Sequence, residues 1–551
     1  MRAPRASRAP SAPPFVIAAA LFVASAAFTI WRNSEVGVLV DIAYPLNTAT
    51  RIAAGEVPYK DFPLAQAPLE FLIQAALIKL FGPQFVVQIA YAAIVGGASI
   101  VLAFAIVRRL LRDAVRAPDL LAASLCLPLV PLGVYAVYPH PFYDPDACAL
   151  ALAVLLSGLV ALAAPTPARC ALAGALLSIV PFMKQNVGGA LVASMAVAIA
   201  VDAFARPGTL RAARWYAIGF GAALALIALA VQFVIGIPNY VRWTVGFALE
   251  ARGVTGERLQ EFVVPSLLAV VLAVLLPRLA PTARLIVASA AFLAALAFTV
   301  LSRALIFAPG FIPPVLVASV ALALFRSRRE RPSFALLLPV VVAGTAIGFL
   351  QSNGLSSSSF AIFPLLVIAL AAVVRDVTWA VPARPGLAVA TGGALAGLLL
   401  VLGSIYTLTN TRLAFVDVNA VGALSHSTFP TLAGLSARGP YLADLDEILV
   451  WTRDHVGVDE GFVFLPGEDP AFYALGRRPV LPSVYFFDVA TPYTPDELAR
   501  IADERGLRWV FVKDRLQLVE EPPLTGAIVR ALTARATLVA TVGAYRVYRR
   551  D

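Results

Sequence analysis

The sequence predicts a mainly α-helical membrane protein of about thirteen transmembrane helices, followed by a small C-terminal α/β domain. Of its 551 residues, 60% are hydrophobic and 14% are charged, whereas a soluble globular chain carries roughly a quarter charged residues. Apolar stretches such as Leu387–Ile405 recur over the first three quarters of the chain. A helix of about 18 such residues is long enough to cross roughly 30 Å of hydrocarbon.

Basic residues mark one side of the membrane in this sequence. The formal net charge is +10, but the arginines lie in short clusters between apolar stretches. Basic residues favour the cytoplasmic ends of spans, so the clusters predict cytoplasmic turns. Since no cluster is paired with exposed aromatic residues, they do not indicate nucleic-acid binding. The clusters are Arg108–Arg109, Arg206 with Arg211 and Arg214, and Arg326 with Arg328, Arg329 and Arg331.

The N-terminus is predicted to be cytoplasmic, because Met1–Pro13 carries three arginines and no acidic residue. We interpret Pro14–Trp31 as the first membrane anchor; the alternative is a cleaved signal peptide, since Ala24–Ala26 resembles a cleavage site. An odd number of spans then places the C-terminus on the outer side of the membrane, which is the inner or plasma membrane of the cell. The predicted spans are residues 14–31, 86–107, 119–138, 147–164, 168–183, 187–204, 215–236, 262–277, 285–302, 305–325, 333–350, 360–374 and 386–406.

The composition changes after Tyr406, where charge rises and helix and strand patterns alternate. Residues 1–406 are therefore predicted to form the transmembrane domain, and residues 407–551 an extracytoplasmic α/β domain. Thr494–Gly506 begins with Thr-Pro and two acidic residues, which is typical of a helix start. The other expected elements are a helix at 441–455, strands at 461–465 and 509–513, and a closing strand pair at 538–542 and 545–548.

The segment between the first two spans, residues 32–85, is the first loop, and it is expected on the outer face. Asp41–Ala54 has the pattern of a helix that lies on the membrane and is ended by Gly55. Pro58–Phe62 is predicted to be extended. Pro68 is predicted to open a second amphipathic helix at the membrane surface.

Asp41 is the candidate catalytic residue of the first loop. A carboxylate where the first span ends costs free energy if it faces lipid, so it is expected to face a cavity. A reaction such as sugar transfer from an activated phosphate donor needs a base for the acceptor's proton, and a carboxylate near the bilayer surface can serve. The alternative is that Asp41 only caps its helix.

A second acidic cluster follows the third predicted span. Its candidate substrate-binding residues are Tyr143, Asp144 and Asp146. Asp144 before a proline is also a good helix cap, and Asp146 suits the positive end of the helix dipole. That alternative explains one acid better than two acids, a histidine and two tyrosines together. His140 by itself is interpreted as a packing residue.

Two cations are candidates for neutralising a leaving phosphate: Lys184, at the predicted outer end of the fifth span, and Arg303. The alternative for Lys184 is that its side chain reaches the membrane surface along an apolar wall. The sequence contains no phosphate-binding glycine loop and no zinc-ligand spacing. No cofactor or metal site is therefore predicted.

These residues resemble the GT-C superfamily of membrane glycosyltransferases, in particular the protein O-mannosyltransferase and aminoarabinose-transferase group. The resemblance lies in Asp41 after the first span, the stretch Arg51–Phe62, Phe142–Asp146, and Met183–Asn186. It extends through the C-terminal segment from Asp444 to Asp514, and so covers nearly the whole chain.

The resemblance implies a polyprenyl-phosphate-sugar donor, used on the periplasmic or outer face, and inversion at the sugar carbon of a hexose or pentose. It also implies Asp41 as base, Asp144 and Asp146 orienting substrate, and Lys184 at the phosphate. The acceptor would be an envelope lipid, polysaccharide or protein. The sequence departs from the aminoarabinose transferases before Pro68, where they carry a lysine; Lys60 with Asp61 is the candidate substitute.

Two other classes of function remain open at this point. A polytopic transporter or lipid-linked-sugar flippase usually places polar residues in mid-span and has repeated halves, whereas here the charges concentrate at one end of the spans. The second of these classes is a non-catalytic assembly partner. The classes differ in whether Asp41, Asp144, Asp146 and Lys184 line one outward-facing cavity.

Overall fold

The fold comes from a computed structural model of the chain, which describes residues 13–136, 139–247, 312–357, 361–380, 385–409, 422–487, 491–517 and 523–550. The helices of the transmembrane part are α1 Pro14–Asn33, α2 Leu39–Ala53, α3 Leu69–Phe81, α4 Phe85–Leu111, α5 Pro118–Cys126, α6 Tyr143–Ala163, α7 Pro167–Met183, α8 Gln185–Ala205, α9 Leu210–Val234, α10 Ile237–Val241, α11 Ile312–Ser327, α12 Phe334–Ser357, α13 Phe363–Ala380 and α14 Pro385–Thr409.

Apolar helices dominate this part, and the chain is a multi-pass membrane protein. Within the described ranges, five helices are long and apolar enough to cross a membrane. They are α1, α4, α6, α8 and α9, the last counted from Pro207. Long neighbours pack in pairs, α1 on α4, α7 on α9, and α8 on α12.

Most predicted spans coincide with helices, but the third is shorter than expected. Its helix, α5, ends at Cys126 and gives way to a 3-10 turn at Leu127–Leu129. Prolines at 128 and 131 lack the backbone N–H that would continue the helix, which explains the early end. The spans predicted at 262–277 and 285–302 lie outside the described residues, and the total of about thirteen stays a prediction.

The first loop contains the two predicted amphipathic helices. The first, α2, ends before Gly55, whose φ of +99° is a left-handed conformation that glycine adopts without strain. The second, α3, begins directly after Pro68. Between them, the expectation of an extended Pro58–Phe62 was wrong. The chain turns back there, with Asp61 N donating to Val57 O at 2.9 Å.

The C-terminal part is a small α/β unit. Its four-stranded sheet has the order β3-β4-β6-β5, where β3 is Gly461–Leu465, β4 Leu507–Lys513, β5 Ala536–Val542 and β6 Tyr545–Arg550. Strands β3 and β4 are parallel. Strands β5 and β6 form the predicted closing pair, which is antiparallel. A two-stranded sheet, β1 Leu424–His426 with β2 Ser436–Arg438, precedes it. The helices are α15 Tyr441–His455, α16 Ala471–Leu475, α17 Pro495–Glu504 and α18 Pro523–Thr533.

The C-terminal sheet and helix α2 share one buried apolar cluster. Leu39, Ile42 and Leu46 of α2 belong to the same cluster as Phe464 and Phe511 of the sheet. Burying aliphatic side chains of this size contributes on the order of 1.5–3 kcal/mol each. The sheet domain and the first loop therefore form one packed body.

Buried hydrogen bonds join the same two parts. Gln517 Nε2 donates to Gly37 O at 3.0 Å, and its Oε1 accepts from Leu39 N at 2.7 Å. Asn47, about two turns further along α2, donates through Nδ2 to Asp469 O at 2.9 Å. These contacts fix the start of α2, the helix on which Asp41 lies.

Candidate active site

Asp41 is the third residue of α2, next to the end of the first span. The residue before this helix is Val38, and no side chain caps the helix end. The alternative that Asp41 only caps its helix therefore has no support. Its Oδ2 is buried and, within the part of the chain that the structure describes, has no hydrogen-bond partner.

Asp144 and Lys184 form a buried ion pair, although 40 residues separate them. Asp144 lies in the first turn of α6, and no side chain caps that helix, so the capping alternative for Asp144 also has no support. Lys184 is the residue between α7 and α8 and is only 5% exposed, so it does not reach the membrane surface. Its Nζ is 5.5 Å from the centre of the Tyr143 ring.

The charge of Asp144 acts on Asp41. Burial first, and then the negative charge of Asp144, raise the pKa of the Asp41 carboxyl from its ordinary 3.8 to about 7. A pKa near neutrality is what a general base needs, because the group is available as the anion and still binds a proton strongly. Four predicted residues, Asp41, Tyr143, Asp144 and Lys184, thus come together, and these four define the Asp41 site.

The sequence did not predict that the C-terminal part would add a residue here. The ring of Tyr485 lies 5.5 Å from that of Tyr44, which is one turn after Asp41 on α2. Burial raises the pKa of the Tyr485 phenol, and the charges of Asp41 and Tyr143 raise it further. Tyr485 therefore lies next to the Asp41 site, packed against the core of the transmembrane helices.

Asp146 lies in a neighbouring cluster of its own. It accepts hydrogen bonds from Tyr135 and, at 2.7 Å, from Tyr91. Burial, and then the charge of Asp146, raise the pKa of Glu70 well above its usual range. Glu70 also accepts from Gln74 at 2.8 Å on the same helix, α3. The fully buried Glu70 and Gln74 were not predicted, and their i,i+4 spacing on an otherwise apolar helix face was the available signal.

Lys60 and Asp61 lie apart from the Asp41 site. Both are exposed, and they line a cavity of about 650 Å³ together with Arg478 and Arg505 of the C-terminal part. Asp61 Oδ2 accepts from Val57 N at 2.7 Å and so stabilises its own turn. Cations outnumber anions around this cavity.

Two candidate residues and the expected absence of a metal site remain to be described. Arg303 lies outside the described residues. His140 is buried against Phe142, with ring centres 6.4 Å apart, and burial lowers its pKa to about 4. It is therefore neutral at ordinary pH, which agrees with its interpretation as a packing residue. In the described ranges, no three His, Cys, Asp or Glu residues are placed to hold a metal ion.

No protein-family model matches the sequence, and no curated protein sequence matches it either. Solved structures do match. The oligosaccharyltransferase of Archaeoglobus fulgidus, crystallised with zinc and sulfate, is 14% identical, with a TM-score of 0.51 over 91% of this chain and 68% of that chain.

Two further structures are similar over most of the chain. The oligosaccharyltransferase AglB of the same organism, with an inhibitory peptide and a dolichol-phosphate, is 13% identical, with a TM-score of 0.49 over 90% of this chain and 69% of that chain. ArnT of Cupriavidus metallidurans, bound to undecaprenyl phosphate, is 14% identical, with a TM-score of 0.42 over 96% of this chain and 97% of that chain.

The crystallised oligosaccharyltransferase with the TM-score of 0.51 carries the structural argument. At 14% identity the similarity establishes a shared fold and nothing finer. The chain thus shares its fold with this oligosaccharyltransferase, which agrees with the fold class that the sequence predicted. The resemblance is thus confirmed at the level of the fold.

Proposed function

We propose that this chain is an inverting GT-C glycosyltransferase, which moves a hexose or pentose from a polyprenyl-phosphate donor to an acceptor of the cell envelope. The observation that carries the proposal is the Asp41 site itself. A carboxylate with a pKa near 7 is influenced by the charge of Asp144, which is itself ion-paired with Lys184. The shared fold supports the same class of enzyme.

The site matches the chemistry of a single displacement. Asp41 takes the proton of an acceptor hydroxyl as the hydroxyl oxygen attacks the anomeric carbon. The new carbon–oxygen bond forms while the bond between the anomeric carbon and the phosphate oxygen breaks, and both electrons leave with the phosphate. Attack on the face opposite the leaving group inverts the sugar carbon. The products are the glycosylated acceptor, polyprenyl phosphate and a protonated Asp41.

Lys184 is suited to the leaving group. Its ammonium carries a full positive charge and is ion-paired with Asp144. A phosphate oxygen that gains charge as the bond breaks is stabilised by such a cation in a site from which water is excluded. Lys184 is 5% exposed and Asp144 is 8% exposed, so the pair is well shielded.

The other predicted residues take supporting roles in the proposal. Tyr143 and Asp146 orient substrate around the Asp41 site, and Arg303 is a second cation for the phosphate. Lys60 and Asp61, with the neighbouring cationic cavity, are proposed to contact the acceptor. The reaction takes place on the periplasmic or outer face of the inner or plasma membrane, with the N-terminus cytoplasmic and residues 407–551 on the same face as the site.

Deletion of the gene followed by complementation tests the proposal. Mass spectrometry of the envelope should show loss of one sugar modification in the deletion strain and its return with the wild-type chain. Asp41→Asn should not restore it, because the amide cannot accept the acceptor's proton. Asp459→Asn, which changes an exposed carboxylate of the C-terminal part, is the matched control and should restore it fully.

Membrane levels of each variant are measured by immunoblot, so that loss of the protein is not mistaken for loss of the base. Full restoration by Asp41→Asn would exclude Asp41 as the base. An envelope without any missing sugar in the deletion strain would contradict the glycosyltransferase proposal as a whole.

A further inference from the structure

A set of aromatic rings adjoins the Asp41 site where the C-terminal part meets the first loop and the transmembrane core. Tyr485 lies 5.5 Å from Tyr44 and 4.4 Å from Phe487, measured between ring centres. Tyr44 also makes an edge contact with Phe71 at 5.7 Å. Two rings of this set come from the first loop, and two come from the C-terminal part.

The two tyrosines are more exposed to solvent than the two phenylalanines. Tyr44 and Tyr485 are half-buried, while Phe71 and Phe487 are buried. Tyr44 follows Asp41 by three residues on α2, so both side chains lie on the same face of that helix. An accessible aromatic surface therefore adjoins the candidate base.

The rings are held in place rather than left mobile. Tyr44 Oη donates to Gln66 Oε1. Around Tyr485, the amide of Phe486 donates to Pro466 O at 2.9 Å, and Thr525 Oγ1 donates to Phe486 O at 2.8 Å. Such a fixed aromatic surface loses little conformational entropy when a ligand binds to it.

The chemistry of the surface favours a sugar ring. A pyranose or furanose presents a face of C–H groups, which carry partial positive charge, while the face of an aromatic ring carries partial negative charge. A sugar placed against Tyr44 and Tyr485 would have its hydroxyl-bearing edge free for polar groups. The pKa of Tyr485, raised by burial and by the charge of Asp41, keeps its phenol neutral.

From this geometry we infer that Tyr44 and Tyr485 form a binding subsite for the sugar ring of the donor, and that the C-terminal domain thereby supplies half of it. The inference rests on the proposed function, because it assigns the sugar of the same reaction to a position beside Asp41. It goes beyond the proposed function because it makes the C-terminal domain part of the substrate-binding site, and not only a domain that holds α2 in place.

Direct binding to the purified full-length chain in nanodiscs tests the inference. The probes are undecaprenyl phosphate and the same lipid carrying mannose, glucose or arabinose. Wild type is expected to bind one sugar-bearing probe more tightly than the bare lipid. Tyr485→Leu should weaken that probe about three- to tenfold and leave the bare lipid unchanged, while Tyr485→Phe, which keeps the ring, should stay within about twofold of wild type.

Two controls separate the subsite from packing. Tyr548→Leu removes a tyrosine of the C-terminal sheet that lies outside this aromatic set, and it should leave the binding of both probes unchanged. The thermal midpoint of each variant is measured alongside. Asp41→Asn should lose turnover and still bind the sugar-bearing probe, because the base is separate from the aromatic surface.

Three results would overturn the inference. The first is a Tyr485→Leu variant that loses bare and sugar-bearing lipid equally. The second is a Tyr485→Phe variant as weak as the leucine variant, and the third is a wild-type chain that binds the bare lipid and binds no sugar-bearing probe more tightly. Failure of the proposed function differs from these, because the wild-type chain would then bind none of the lipids, the bare one included.

Discussion

Replacing Asp144 with asparagine should move the pH dependence of the enzyme. The pKa of Asp41 is raised from 3.8 to about 7, which corresponds to about 4 kcal/mol against its ionisation. Burial is the larger cause and the charge of Asp144 the smaller, so removing that charge should lower the pKa of Asp41 by at most about 1.5. Lys184, released from its ion pair, would lower it in the same direction.

The sign of the effect follows from the role of the base. Asp41 works as the anion, so kcat/KM rises with pH through the pKa of Asp41 and levels off above it. In Asp144→Asn this rise should occur at lower pH than in wild type. The assay is transfer from a polyprenyl-phosphate sugar in detergent, measured from pH 5 to 9. The position of the rise does not depend on how much absolute rate the variant keeps.

A second variant, Lys184→Met, should shift the pH dependence in the opposite direction. Lys184→Met leaves the charge of Asp144 without its neighbouring cation, so the rise in kcat/KM should move to higher pH. Unchanged profiles in both variants, or shifts opposite to these, would refute the electrostatic coupling between Asp41 and the ion pair. Asp459→Asn, an exposed change, should give the wild-type profile.

Three further predictions concern how the C-terminal part is held. Gln517→Ala removes two hydrogen bonds to the backbone at the start of α2, so thermal unfolding should show a loss of about 1–3 kcal/mol. Gly467→Ala should lower the thermal midpoint, since its φ is +92° and a Cβ would lie 2.2 Å from Val484 O; an unchanged midpoint would contradict this. Lys513→Met leaves two buried carboxylates without their cation, and a cost of about 3–5 kcal/mol in denaturant unfolding is expected.

Local patterns in the sequence predicted most of the elements. The helix at 441–455 has the predicted bounds, because its apolar spacing is regular and its limits are clear. The helix from Pro495 begins with the capping box that its Thr-Pro and acidic start indicated. The turn at Pro58–Phe62 was missed because the side chain of Asp61, bonded to a backbone amide, stabilises it against the extended form.

The sequence predicted individual residues of the Asp41 site, but it did not predict which of them contact each other. Asp144 and Lys184 were both singled out, yet nothing in the sequence shows that residues 40 apart form an ion pair. The contribution of Tyr485 was missed for the same reason, since contacts between distant segments leave no local periodicity. Conversely, Lys60 and Asp61 precede Pro68 in the same first loop as Asp41 but line a cavity to which Asp41 does not contribute.

Burying a carboxylate oxygen without a hydrogen-bond partner is costly, and other contacts must hold Asp41 in that state. Those contacts come from the C-terminal part. Gln517 and Asn47 join it to α2 through buried hydrogen bonds, and the apolar cluster around Ile42 joins the same surfaces. The pKa of Asp41 therefore depends on residues more than 400 positions away. A chain that loosened these contacts would hydrate the carboxylate, lower its pKa and lose the base, even with every residue of the Asp41 site unchanged.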